Sequence, residues 1–437
     1  MSLSDLSKQE RGILERFSKH LDGIRDEGSK PGIPAKKRKV FRVLSIDGGG
    51  MRGLVPARVL AEFEKQLGKP ISECFDLIAG TSTGGIITMG LTKPDPNNPG
   101  KAQYSAKDLG DMYATRGKDI FDRKWHAFVT RLLASKYNGK GLRKVLGEYF
   151  GDAKLKDSLT NTLVTAYDFE RAEPLFMKNR KYGRDRSLAR ADRDFMMRDV
   201  ALSTSSAPSF FPPVKIRTAD TRAPVEHALL DGGIFANNPG VCALIEAEKL
   251  MPQDADIMVV SLGTGGVPRT YKFDDVRSWS RLSWIDAEKG IPALEMAMNG
   301  QAEAADHHLA TALGDRYIRI NMPINDPRLG KEDQRPDSSM DDASKDQVRK
   351  LERMAGIVIR SHQKDIARAV DIVKTGHHIT SADFDRTFKQ RQDDARKKDK
   401  RGPDAKGPDG KPPKADRRQP PRLSDKIANL RNDAPRI

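Results

Sequence analysis

At 437 residues, with 37% hydrophobic and 32% charged side chains, the chain has room for one large α/β unit but is too polar for every stretch to join a core. Two cysteines, Cys74 and Cys242, each beside apolar residues, exclude a disulfide framework and are expected as buried thiols in a reducing compartment. The formal net charge is +16, and Lys389 to Ile437 holds 16 Lys/Arg against 8 Asp/Glu, so half of the excess lies in that tail.

In chain order, Leu6, Ile13, Leu14, Phe17 and Leu21 give a helical spacing over Leu3 to Leu21, after a cap at Ser2 or Ser4. This opening lacks the uninterrupted apolar run of a secretory signal, and no later stretch approaches the roughly 18 apolar residues of a membrane span. GSKPGIPAKKRKV then reads as a linker, so residues 1–39 are expected to be an appendage. From Val40 to Ile46 a buried strand is predicted, followed by a helix over Leu54 to Leu67, a strand in CFDLIAG and a helix from Gly84. That alternation implies parallel strands joined by crossovers. Thr162 to Phe169, Asp256 to Leu262 and Tyr317 to Ile320 extend the same sheet, and one catalytic domain is expected over residues 40–388. Residues 389–437 are rich in Pro, Gly and charge and offer too little apolar surface to offset ordering, so a disordered basic tail is expected.

Two motifs fall at strand ends. Gly80-Thr81-Ser82-Thr83-Gly84 matches G-x-S-x-G between a buried strand and an apolar helix start, the setting of a nucleophilic serine on a strained turn whose flanking glycines admit close neighbours. Gly48, Gly49, Gly50, Met51, Arg52 and Gly53 follow the first strand and open a helix. The dinucleotide reading of this loop needs an acid about 20 residues on, at the end of the next strand. Gly68 and Pro70 stand there instead, and Asp76 lies at that strand's beginning. The remaining reading is an oxyanion hole of glycine amides, with Arg52 adding charge or anchoring the loop.

A serine nucleophile needs a proton acceptor. His227, His307, His308, His362, His377 and His378 all lack the short post-strand loop of a triad histidine. Asp231 follows the apolar Ala228, Leu229 and Leu230 and precedes Gly232 and Gly233, which let another backbone approach. A partly buried carboxylate in contact with the serine can itself take the proton. Read alone, the same Asp231 is also a turn-capping residue.

Together these residues resemble the patatin-like phospholipases, whose signatures are a glycine-rich Asp-Gly loop, G-x-S-x-G and a later Asp-Gly-Gly. The resemblance continues through ALSTSSAPSFFPPV (Ala201 to Val214), Asn237 to Pro239 and VVSLGTG (Val259 to Gly265). It implies a three-layer α/β/α fold with a mostly parallel sheet, Ser82 as nucleophile, Asp231 as base, an oxyanion hole at Gly48 to Gly53 and no cofactor or metal. The implied substrates are phospholipids or other acyl esters, hydrolysed through an acyl-enzyme. A cytoplasmic protein in peripheral contact with anionic membrane is expected, with no specific nucleic acid partner, although PAKKRKV resembles a nuclear localisation signal. Two alternatives stand beside this reading: a cyclic-nucleotide-regulated phospholipase effector of anti-phage defence, and a vestigial hydrolase that binds nucleic acid. Pocket shape is expected to depend on Ile120 to Leu146 and Asp274 to Leu294.

Overall fold

The computed structural model describes residues 39–122, 135–179, 194–219, 224–252, 255–266, 270–284 and 292–376. The expected N-terminal helix, the basic tail, His377 and His378 lie outside these residues. In chain order the strands are β1 (Lys39–Ile46), β2 (Leu77–Gly80), the hairpin β3 (Pro94–Asp95) and β4 (Asn98–Ala102), β5 (Asn161–Asp168), β6 (Glu173–Asn179), β7 (Val214–Arg217), β8 (Glu226–Asp231), β9 (Ala255–Leu262) and β10 (Tyr317–Ile320). The longer helices are α1 (Leu54–Leu67), α2 (Thr83–Thr92), α3 (Ala106–Ile120), α4 (Lys140–Phe150), α5 (Met197–Thr204), α6 (Gly240–Leu250), α7 (Pro292–Leu313), α8 (Lys345–Ser361) and α9 (Gln363–Thr375).

Strand β1 is buried along all but its first two residues, as a central strand covered on both faces must be. Its side chains alternate between two cores. Phe41 and Val43 face a cluster with Ala243, Ala247 and Leu250 of α6 and Leu309 and Leu313 of α7. Leu44 and Ile46 face the larger cluster, formed with α1 to α5, α8 and α9. The result is the expected three-layer α/β/α arrangement. Helix α1 stops where Gly68 adopts the left-handed φ of 68°. Helix α3 starts at a reciprocal cap in which Ser105 accepts from the Asp108 amide and Asp108 accepts from the Ser105 amide.

The large sheet runs in the order β10-β9-β1-β2-β5-β8-β7, with β6 also paired to β5. Strands β10, β9, β1, β2 and β5 are parallel, and Ile46 is level with Gly80 and Leu262. The segments after β1, β2 and β9 therefore leave the sheet at one height, where ligand sites of such sheets form. Strand β8 runs antiparallel to β5 and ends with Asp231 beside Ala166, two residues beyond the Val164 that pairs with Gly80. It reaches the same rim from the opposite direction. At the far end of the sheet Asp76 accepts from Arg42 Nε and Nη2 at 2.9 Å each, a buried bidentate pair that ties β1 to the start of β2 and leaves Asp76 remote from the rim.

Candidate active site

Ser82 sits between β2 and α2 with φ 54° and ψ −123°, a conformation that a non-glycine residue holds only under strain. The surroundings enforce it. A Cβ on Gly80 would overlap the Gly84 carbonyl, and one on Gly84 would overlap the Ile46 carbonyl, so both glycines are steric requirements of the turn. The Ser82 amide donates to Thr204 Oγ1 at 2.8 Å. Thr81 is buried and donates to the Ala236 carbonyl at 2.6 Å, while Thr83 donates to the Tyr113 hydroxyl. These contacts fix the elbow to α5, to the turn after β8 and to α3.

Asp231 is buried at the end of β8, with its amide held by the Ser206 carbonyl at 3.0 Å. Burial pushes its carboxyl up to about 7; the Gly233 amide, donating to Oδ1 at 2.7 Å, and the Ser82 hydroxyl oppose that rise. Gly232 presses against β5, where a Cβ would overlap Thr165, and Gly233 opens the single turn Gly233–Ala236. A carboxylate that titrates near neutrality beside a serine hydroxyl has the proton affinity of a general base.

The glycine loop is more selective than the sequence suggests. Of its six residues, Gly49 and Gly50 line the pocket that also holds Ser82, Thr83, Asp231 and Gly233. Gly48, Met51 and Arg52 have their amides taken by the carbonyls of Asn237 (3.0 Å), Met340 (2.8 Å) and Gly49 (3.2 Å). Gly53 does not line the pocket but packs behind Thr83, which does. Among the described residues, the amides of Gly49, Gly50 and Thr83 have no acceptor. The Arg52 side chain is an anchor. It donates to the Ser338 carbonyl at 3.0 Å, and burial draws its pKa down to about 10 while Glu295 works against that.

A second set of residues holds this loop: Ser261 and Thr264 lie in the VVSLGTG segment, whereas Arg319 belongs to no motif. Thr264 Oγ1 donates to the Gly48 carbonyl at 2.7 Å, polarising the peptide whose N–H belongs to Gly49. Arg319 on β10 pairs with Asp47 at 2.6 Å and donates to Ser261 Oγ at 2.8 Å. Burial works against the Arg319 charge, but Asp47, together with Tyr317 and Asp306, raises the guanidinium pKa above its ordinary value. Ser205 Oγ and Asn237 Oδ1 are buried without partners among the described residues, and both residues line the pocket.

The pocket opens to solvent and, its mouth included, encompasses about 750 Å³ of empty space. Its remaining wall is largely apolar, with Ile86, Ile120, Phe121, Leu142, Phe210, Phe211, Leu294, Met298 and Met340. The two segments expected to shape it, Ile120 to Leu146 and Asp274 to Leu294, both contribute, although residues 123–134 and 285–291 lie outside the described set. No described histidine lines it. His227 bonds to Asp168 at 2.9 Å, His307 and His308 lie on α7, and His362 caps α8. Cys74 is buried and Cys242 half-buried; both are free thiols, pushed up to about 11 by burial. Among the described residues no group of His, Cys, Asp or Glu could hold a metal ion, and no helix is long and apolar enough to cross a membrane.

A three-layer α/β/α sheet with a serine elbow, a facing carboxyl and an apolar pocket is the architecture of an ester hydrolase. The sequence profile of the patatin-like phospholipases matches residues 44–240. Patatin-like protein 2 of Oryza sativa subsp. indica is 32% identical over 392 residues, spanning 82% of this chain and 91% of that protein. Patatin-like protein 2 of Arabidopsis thaliana is 31% identical over 327 residues, 68% and 79% of the two chains. Patatin-15 of Solanum tuberosum is 29% identical over 310 residues, 66% and 76%. This chain belongs to the patatin-like phospholipase family and is a carboxylic ester hydrolase acting on lipids.

Proposed function

We propose that the protein is a phospholipase A-type acyl hydrolase built on a Ser82–Asp231 dyad. Asp231 takes the hydroxyl proton as Ser82 Oγ attacks the acyl carbonyl, and the amides of Gly49 and Gly50, with Thr83 at the α2 N-terminus, receive the oxyanion. The tetrahedral intermediate collapses with loss of the lysolipid, whose oxygen takes the proton back from Asp231. Water, deprotonated by the same carboxylate, then attacks the acyl-enzyme, and Ser82 Oγ takes that proton back from Asp231 as the fatty acid leaves. The observation that carries this reading is the convergence of a strained serine, a carboxyl with its pKa near 7 and open amides on one apolar pocket. The catalytic unit would span residues 40–388, with 1–39 and the basic 389–437 as appendages, the latter suited to anionic lipid.

The substrate class is tested by incubating the protein with a diacyl phospholipid in the presence of a chelator and following products by mass spectrometry. Free fatty acid and lysophospholipid should appear in equal early amounts, undiminished by the chelator. Release of diacylglycerol or phosphatidic acid, or loss of turnover on chelation, would contradict it.

A further inference from the structure

Between β9 and α7, residues 270–284 carry Tyr271, Phe273, Trp279 and Trp284, although only 6% of the whole chain is aromatic and it contains only three tryptophans. Three of these rings form a connected platform. Tyr271 and Trp279 meet edge-on with centroids 4.8 Å apart, and Trp279 and Trp284 do the same at 5.0 Å. Phe273, in the single turn Phe273–Val276, is 78% exposed, the highest exposure of any large hydrophobic side chain described. Phe273 projects into water from the same segment as these packed rings, and an exposed apolar patch of this kind marks an interaction surface.

The platform is continuous with the pocket wall. Its last turn, Arg281–Trp284, packs against α7, and Leu294 and Met298 of α7 line the pocket beside Ser82 and Asp231. The neighbouring exposed charges Lys272, Asp274, Asp275 and Arg277 are of both signs, and Arg277 lies 3.5 Å from Asp274. Long-range attraction to a polyanion is therefore not what this patch offers. Tryptophan rings partition to the headgroup level of a bilayer, and a phenylalanine reaches the acyl boundary below, while Tyr271, whose hydroxyl is buried, supports the platform from inside.

We propose that Tyr271 to Trp284 is the interfacial anchor that seats the catalytic pocket on a lipid bilayer, with Phe273 inserted below the headgroups and Trp279 and Trp284 at their level. The proposal rests on the lipid-hydrolase reading above, but its binding test does not require turnover. In a Ser82→Ala background, which leaves vesicles chemically unaltered, the protein should cosediment with neutral phosphatidylcholine vesicles, and brominated acyl chains should quench its tryptophan fluorescence. Adding Phe273→Glu and Trp279→Ser should reduce partitioning by about tenfold or more. In the active protein the same pair should raise the half-saturating vesicle concentration similarly while leaving hydrolysis of a dissolved short-chain ester within about twofold. The dissolved ester also reports correct folding, and Phe273→Ala serves as a milder variant with a smaller shift in the same direction. Equal partitioning of altered and unaltered proteins would overturn the anchor. So would a wild-type dimer that becomes monomeric in the variant with vesicle binding retained, since the platform would then cover a second copy. Binding without hydrolysis by the active protein would instead count against the lipid-hydrolase reading alone.

Discussion

Ser82→Ala is expected to lower ester hydrolysis by at least about four orders of magnitude, because the acyl-enzyme route disappears with its nucleophile and only pocket binding and oxyanion contacts remain. The fold should survive. Alanine removes one oxygen from a side chain that is only partly buried, and the turn itself is held by the Thr204, Thr81 and Thr83 contacts. Circular dichroism and thermal unfolding of the variant should therefore match the wild type, while release of p-nitrophenol from a short-chain ester falls to near background. Retention of more than about a tenth of the wild-type rate would place the nucleophile elsewhere.

Asp231→Asn should cost about two to four orders of magnitude in kcat/KM, the range of a lost general base, and should change two pH profiles in opposite senses. In the wild type only the ionised carboxylate takes the serine proton, so kcat/KM should rise with pH and reach half its plateau near the folded value of about 7. The variant should lack that limb. For stability the sign is reversed. Burial raises the Asp231 pKa from 3.8 to about 7, so its favourable contribution is complete below 3.8 and is lost as pH rises through about 7, where the buried group becomes charged. Asparagine stays neutral. The melting temperature of Asp231→Asn should thus exceed that of the wild type above pH 7, with the difference shrinking towards pH 4. An activity limb that persists in the variant, or a variant equally destabilised at every pH, would contradict the assignment.

What the sequence disclosed is what local chemistry determines. The apolar run Val40 to Ile46 became β1, Leu54 to Leu67 became α1 with those boundaries, and the glycines around Ser82 are required by carbonyls that a Cβ would overlap. Which amides of the Gly48 to Gly53 loop stay open was not legible, because the acceptors of Gly48 and Met51, Asn237 and Met340, arrive from loops far along the chain, while the Arg52 amide is taken within the loop by Gly49. No periodicity reports that Thr264 reaches the Gly48 carbonyl or that Arg319 reaches Asp47. The direction of β8 was equally hidden. Its apolar run is legible, but only pairing with β5 shows that it approaches the rim antiparallel and delivers Asp231 from the opposite side. The Asp47 clamp also links the site to β10 and, through the 3.6 Å approach of Arg319 to Asp306, to the pocket-lining helix α7.

A covalent intermediate is the feature that separates this dyad chemistry from direct attack by water. Rapid acid quenching during turnover of an acyl ester, followed by proteolysis and tandem mass spectrometry, reads it at residue level. The acyl mass should appear on the hydroxyl of Ser82, and no such adduct should form in Ser82→Ala. An adduct on another side chain, or full turnover by an enzyme that never carries one, would contradict the account.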